Sequence, residues 1–331
     1  METQMKKRGR YGLWACLLVA ALCAGCGPAV ESPTTTADAQ LQSFESYVAQ
    51  TSFSFPKSWE YQSDEEVDEG LQAIFTFDEG RAAVQFLWMD AQQQAQNVFL
   101  DQLDIDEVTE TNCQAGAYSG KLVTGKDGSV HTAAFEGSRS WYDTDLMLVM
   151  RVLVQADTES VYLTQKRNLD ALLASVEVQE DGEVPAVADE DFGTYDFMDT
   201  YGLSLSAPTY WDMRPQTGSD GAFAVSFVVA QGDNEVTVER GTLRAEAYQE
   251  MLESFQDLGA YEDTYQFEIQ QDGDVTTMTC IQEGKINRST LTATRQGDEV
   301  SYLWVTSALR PQLDKAYADV VEKIAASIQV Q

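Results

Sequence analysis

An internal repeat with a spacing of 152 residues is the feature that most constrains the fold of this chain. Residues 53–59 align without a gap with residues 205–211, and both segments end in Pro-x-x-Trp. Residues 169–179 align with residues 321–331 at the same spacing. Two matches at one spacing, near opposite ends of each copy, predict two consecutive copies of one structural framework.

Within each copy, the spacing of the apolar residues changes between that of strands and that of helices, and it does so in the same order in both copies. Short alternating segments and turn residues predict strands, and these lie at 73–77, 84–88 and 147–154 in the first copy and at 222–229, 235–239 and 299–306 in the second. A helical period predicts a helix over residues 90–103 with Asp90 as its N-cap, and a second helix over residues 243–255. A final helix follows in each copy, with Pro311 near its start in the second.

Two Asp-Gly pairs provide hairpin turns. Asp127-Gly128 and Asp272-Gly273 suit the positive φ angles of tight turns. We interpret them as equivalent turns of the two copies.

This order of elements resembles the PsbP/Mog1-like family, in particular the PsbP-like domains of bacterial surface lipoproteins. The resemblance implies an α+β fold with two tandem α/β/α sandwich domains, each a mainly antiparallel sheet with flanking helices. It also implies action through binding and assembly, without a catalytic residue set. The second copy departs from the pattern by having Ala207 where the first has Phe55. The residues that match the opening motif are Phe55, Pro56, Trp59, Pro208 and Trp211.

The N-terminal residues have the composition of a bacterial lipoprotein signal. A basic segment at 6–10 precedes a largely apolar run at 11–25, which is shorter than the roughly 20 residues that span a bilayer. We therefore expect residues 1–25 to be a signal peptide and Cys26 to carry lipid, including palmitate. Cys23 stands where Leu is usual, and an ordinary signal peptide or an uncleaved anchor is the alternative.

Composition indicates the domain boundaries. Residues 26–43 are expected to form a flexible tether, and residues 180–194 an acidic linker without Lys or Arg. The two PsbP-like domains then comprise residues 44–179 and 195–331. We expect each domain to fold separately.

The formal net charge of the chain is −33. Such a charge repels phosphate backbones and anionic headgroups, so it excludes a nucleic-acid partner and leaves the lipid on Cys26 as the membrane contact. An envelope protein or an extracellular ligand is then the expected partner. The expected location is the extracytoplasmic face of the cell membrane.

Catalytic and metal-binding motifs do not occur in the sequence. His131 is the only histidine, and we expect it to be an ordinary strand residue near a hairpin. Acidic runs at 64–70 and 101–107 offer oxygens to Ca²⁺, but neither has EF-hand spacing. Cys113 and Cys280, the two cysteines left after removal of the signal peptide and lipidation of Cys26, are expected to be separate thiols.

One aromatic pair is a candidate contact for a ligand or partner. Trp141 and Tyr142 lie beside a predicted turn, where an exposed pair would form a binding patch. The sequence therefore favours a non-catalytic binding module, with no cofactor, no catalytic residue and no metal site. An assembly factor for an envelope complex is the first alternative, and a hydrolase of unrecognised type is the second.

Overall fold

The computed structural model describes residues 40–62, 71–179, 182–218, 221–230, 234–261 and 263–331. The strands of the first half are β1 (Leu41–Ser46), β2 (Thr51–Pro56), β3 (Glu60–Gln62), β4 (Gln72–Phe77), β5 (Gly80–Met89), β6 (Asp106–Ala115), β7 (Tyr118–Asp127), β8 (Val130–Ser140), β9 (Met147–Ala156) and β10 (Glu177–Val178). Its helices are α1 (Ala91–Gln96) and α2 (Glu159–Ala174).

The second half repeats this succession. Its strands are β11 (Phe192–Phe197), β12 (Leu203–Pro208), β13 (Asp212–Thr217), β14 (Phe223–Ala230), β15 (Asn234–Arg244), β16 (Thr264–Asp272), β17 (Val275–Gln282), β18 (Lys285–Gln296), β19 (Glu299–Leu309) and β20 (Gln329–Val330). Its helices are α3 (Met198–Tyr201), α4 (Ala245–Leu258) and α5 (Pro311–Ser327).

Each half contains one seven-stranded and one three-stranded antiparallel sheet. The large sheets have the orders β3-β4-β5-β9-β8-β7-β6 and β13-β14-β15-β19-β18-β17-β16. The small sheets have the orders β1-β2-β10 and β11-β12-β20. The two halves therefore share one topology, as the repeat predicts.

A helix and the small sheet close one face of each large sheet. In the first half Phe53 of β2, Phe75 of β4 and Leu169 of α2 belong to one buried cluster with Trp59. The Trp59 indole donates a hydrogen bond to Gln165 Oε1 of α2 at 2.7 Å. In the second half the corresponding cluster is built from β12, β14, β15 and α5. We call this face of each large sheet the inner face and the opposite one the outer face.

The expected α/β/α sandwich is wrong. The chain is built mainly of strands in four antiparallel sheets, and its helices do not form complete flanking layers. The first two strands of each half do not join the large sheet. They pair instead with the last strand of that half in a separate three-stranded sheet. Periodicity along the sequence identifies strands and helices, but it does not specify which strands pair.

The first half shows why a predicted helical layer is missing. Asp90 caps α1 as expected, since its carboxylate accepts a hydrogen bond from Gln93 N at 2.8 Å. The helix ends at Gln96 rather than at residue 103. Asn97 instead donates from Nδ2 to Glu136 Oε1 at 2.8 Å and accepts at Oδ1 from Arg151 at 2.7 Å. These contacts hold the chain on the sheet in a non-helical conformation.

The two Asp-Gly turns are not equivalent. Gly128 lies between β7 and β8, whereas Gly273 lies between β16 and β17. By order of strands, the turn at Gly284 corresponds to Gly128, and the turn at Gly116 corresponds to Gly273. The same Asp-Gly dipeptide at both turns led to a wrong alignment of the two copies. Tight turns anywhere in a fold favour residues that tolerate positive φ.

The segments around the halves contain more ordered structure than expected. Strand β1 begins at Leu41, inside the predicted tether. In the predicted linker, Val184 and Val187 pack against the second core, and the Tyr317 hydroxyl donates to Pro185 O at 3.1 Å. Separate folding of the two halves stays a prediction. Within the described parts of the chain, none of the helices has the length and apolar character needed to cross a bilayer.

Candidate functional site: a groove on the second sheet

The outer face of the second large sheet carries a groove with a volume of about 300 Å³. Strands β13, β14, β15 and β19 supply its walls and floor. We call it the second-half groove, and its lining residues are Gln216, Ala224, Ser226, Glu235, Thr237, Glu239, Trp304 and Thr306.

Alternation along β15 places the charged residues in the groove. Val236 and Val238 are fully buried on the inner face, so Glu235, Thr237 and Glu239 point to the outer face. The sequence predicted this strand over residues 235–239 but not the site on it.

A row of hydroxyl groups forms the floor. Ser226, Thr237 and Thr306 lie opposite one another on three adjacent strands. The Ser226 and Thr237 hydroxyls are hydrogen-bonded at 2.7 Å, and Ser226 is buried. The floor can therefore both donate and accept hydrogen bonds.

Trp304 and Glu239 form the end of the groove nearest α4. The Trp304 ring packs on Phe255 of that helix with the ring centroids 5.0 Å apart. The Tyr302 hydroxyl donates to Glu239 Oε1 at 2.6 Å, which fixes this carboxylate beside the indole. The Trp304 Nε1 atom is buried and has no hydrogen-bond partner among the described residues.

The matching face of the first half carries a buried ion pair. Arg151 faces Glu136 across β9 and β8, as Trp304 faces Leu291 across β19 and β18. Arg151 Nε donates to Glu136 Oε2 at 2.6 Å, and its guanidinium lies 4.5 Å from the centre of the Phe99 ring. Asn97 and Phe99 thus cover the outer face of the first sheet at Arg151 and Glu136, as Phe255 of α4 covers that of the second sheet at Trp304.

The predicted aromatic pair lies at the junction of the two halves. Trp141 is fully buried, so the exposed pair that a binding patch would need is not present. Its indole donates to Gly284 O of the second half at 2.8 Å, and its ring meets Trp88 edge to face at 5.5 Å. The Tyr142 hydroxyl donates to Gln50 Oε1 at 2.7 Å. A contact of this pair with a separate ligand or partner stays a prediction.

A second cavity, of about 230 Å³, lies beside this junction. Asp143 and Asp145 of the first half and Cys280 and Arg288 of the second contribute to its lining. The Arg288 guanidinium is already paired with Asp314 through hydrogen bonds of 2.8 and 2.9 Å. Burial raises the pKa of the Cys280 thiol. Cys113 and Cys280 are free thiols, as expected.

Three further sequence predictions concern His131, the acidic runs and Cys26. His131 is a β8 residue stacked on Tyr162 with a 5.3 Å separation of the rings, which confirms the strand assignment. Residues 101–107 belong to the described part of the chain, within which no group of three or more candidate metal ligands occurs. Cys26, the predicted signal peptide and the acidic run at 64–70 lie outside the described residues.

No family model and no curated protein matches the chain. The chain is similar to the solved structure of the cyanobacterial PsbP of Synechocystis, with 11% identity and a TM-score of 0.28, over 45% of this chain and 98% of that one. It is also similar to the Ran-binding protein Mog1p of Saccharomyces cerevisiae, with 14% identity and a TM-score of 0.30, over 43% and 96%.

A third similar structure extends over both halves. It is an immunity protein of Pseudomonas aeruginosa solved with a peptide, with 10% identity and a TM-score of 0.23, over 83% of this chain and 98% of that one. Scores of this size support no statement about what the present chain binds.

Proposed function

We propose that this chain is a lipoprotein anchored through Cys26 at the extracytoplasmic face of the membrane, with two PsbP/Mog1-like domains that bind a protein partner without catalysis. The succession of basic, apolar and small residues before Cys26 supports the anchor. The duplicated framework and the Pro-x-x-Trp motifs support the family assignment.

One observation carries the assignment of a binding role. The two halves share a topology, and the outer face of the second carries a groove lined by hydroxyl and carboxylate side chains. The central strand pair of the first sheet instead has Ala83 and Leu153 on its outer face, which carry neither a hydroxyl nor a carboxylate. Such a difference between two copies of one framework favours a site specialised for contact with another molecule, because folding alone does not require an open face.

The anchor is tested by Cys26→Ala in the native host. We expect the unmodified protein to remain in the membrane fraction after a high-salt wash, and the Cys26→Ala protein to be released. A Cys26→Ala protein that stays in the washed membrane fraction would contradict the lipoprotein assignment.

The binding role is tested by blocking the groove. Thr237→Arg places a long cationic side chain on the groove floor, and Thr109→Arg makes the same change at an exposed position of β6 in the first half. We expect cross-linking in the native envelope to recover a partner protein with the unmodified chain and with the Thr109→Arg chain. We expect the Thr237→Arg chain to recover none. Equal recovery with all three would remove the groove from the binding role.

The non-catalytic assignment is tested with panels of glycosidic, ester and peptide substrates. We expect no turnover above that of a heat-denatured sample. Steady turnover that is lost on changing Glu235 or Glu239 to Gln would identify a hydrolase instead.

A further inference from the structure

We propose that the second-half groove binds an extended basic segment of a protein, in which two Lys or Arg residues are four positions apart. This inference rests on the proposed binding role of the same groove. It specifies the chemistry and the spacing of the occupant.

Charge complementarity identifies the class of occupant. Glu235 and Glu239 are the ionisable residues of the lining, and neither Lys nor Arg lines the groove within the described chain. Arg214 lies on the same face at the edge strand β13, but its Nε is 3.0 Å from Asp212 Oδ2. The groove therefore has a net negative charge on a protein of formal charge −33. Anionic ligands are disfavoured, and cationic side chains are attracted.

The spacing of the carboxylates sets the spacing of the cations. Glu235 and Glu239 are four residues apart on one face of β15. A strand rises about 3.3 Å per residue, so their Cα atoms are roughly 13 Å apart. An extended segment that lies along β15 places residues i and i+4 at the same separation. Two basic residues that are adjacent in sequence cannot each pair with one of the two carboxylates as easily as two residues four positions apart.

The remaining lining suits such a segment. Trp304 lies beside Glu239, where its ring can contact the aliphatic stem and the charge of a Lys or Arg side chain. The hydroxyls of Thr237 and Thr306 lie between the two carboxylate positions and can bind main-chain amides and carbonyls of the segment.

The first half lacks this combination at the equivalent strand positions. The central strand pair of the first sheet has Gln85 beside Arg151 and Ala83 beside Leu153, whereas that of the second has Glu239 beside Trp304 and Thr237 beside Thr306. The two pairs of the first sheet contain no carboxylate to attract a basic segment. We therefore expect one such site in each chain, in its second half.

The test uses two synthetic ten-residue peptides of the same composition, one with lysines four positions apart and one with adjacent lysines. Binding to the mature chain is measured by titration calorimetry or fluorescence anisotropy at low ionic strength. We expect the spaced peptide to bind several-fold more tightly than the adjacent one, and added salt to weaken its binding. Equal binding of the two peptides, or binding of a peptide with glutamates in place of the lysines, would overturn the proposal.

Matched variants locate the site. Glu235→Gln removes one charge in the groove, and Glu322→Gln removes one from an exposed position on α5. We expect roughly a tenfold loss of affinity for the spaced peptide with Glu235→Gln, which corresponds to about 1.4 kcal/mol, and little change with Glu322→Gln. Thermal unfolding checks that both variants are folded. Equal losses would show only a general effect of net charge and would overturn the site.

The two proposals fail separately. If Thr237→Arg abolishes cross-linking in the envelope while the spaced peptide does not bind, the basic-segment inference is wrong and the binding role stands. If Thr237→Arg leaves cross-linking unchanged and the spaced peptide does not bind, both proposals are wrong.

Discussion

The indole Nε1 of Trp141 donates a hydrogen bond to the carbonyl oxygen of Gly284 at 2.8 Å, across 143 positions of sequence. This contact inserts the β17–β18 turn of the second half against Trp88 and Trp141 of the first. Nearby, the Tyr265 hydroxyl donates to Trp88 O at 2.7 Å, and Tyr265 and Ile281 belong to the buried core of the first half. The halves are thus joined by buried contacts as well as by the linker.

Gly284→Ala should destabilise the protein more than Gly128→Ala. Both glycines have positive φ, so each substitution carries the backbone cost of a left-handed residue. An added Cβ at Gly284 would lie 2.4 Å from Trp88 Cε2, whereas Gly128 has open space around it. We expect the Gly284 variant to lose about 1–3 kcal/mol more unfolding free energy, the usual cost of overpacking. Denaturant titration measures the difference, and equal losses would contradict the contact.

Trp141→Phe should be more costly than Trp304→Phe. The first change leaves a buried carbonyl of Gly284 without its donor, at a cost of about 1–3 kcal/mol. The second removes an indole N–H that has no partner among the described residues. Both retain an aromatic ring, which controls for ring loss. Chemical unfolding of the two variants compares them, and an equal or larger loss for Trp304→Phe would oppose the assignment.

Ser175→Ala and Ser327→Ala should have equal effects. Ser175 Oγ accepts a hydrogen bond from Ser54 N at 2.8 Å, and Ser327 Oγ accepts one from Ser206 N at 2.8 Å. These pairs are related by the 152-residue repeat. We expect each variant to lose about 1–2 kcal/mol because a backbone amide loses its partner. Values that differ by more than the experimental error would show that the two halves respond differently.

Arg151→Met should loosen the segment that covers the outer face of the first large sheet. Arg151 is buried, and its loss leaves the Glu136 carboxylate without its cation. Breaking such a buried pair costs about 3–5 kcal/mol. The double variant Arg151→Met with Glu136→Leu should recover most of this stability. Amide exchange at residues 97–103 should rise in the single variant, and unchanged exchange there would refute a covering role for this segment.

Alkylation of Cys280 should depend on pH and on folding. Burial raises the pKa of its thiol, so the native state favours the protonated form. In a Cys113→Ser background, we expect slow reaction with iodoacetamide in the native protein and fast reaction in denaturant. Since the folded-state pKa is the higher one, this group stabilises the fold below its ordinary pKa, and that stability is lost as the pH rises through the folded-state value. Equal native and denatured rates would contradict the buried placement.

The sequence predicted three of the four strands that build the groove, β14, β15 and β19, but neither β13 nor the groove itself. Alternation in β15 showed that Val236 and Val238 share one face and that Glu235 and Glu239 share the other. It gave no sign that Thr237 would meet Ser226 and Thr306, which come from strands elsewhere in the chain. For the same reason, the sequence left open whether Trp141 is exposed or buried, since the partner that buries it lies in the other half.

The sequence by itself determined the duplication, the approximate positions of most strands and helices, and the inward faces of those elements. These properties follow from local periodicity, which records whether each side chain meets water or the core. Only the tertiary structure decided the division into four antiparallel sheets, the docking of Gly284 on Trp88 and Trp141, and the groove on the second large sheet. Those outcomes depend on pairing between distant segments and on loop contacts such as that of Asn97 with Arg151. Their energies are set by the geometry of both partners, which no single stretch of sequence contains.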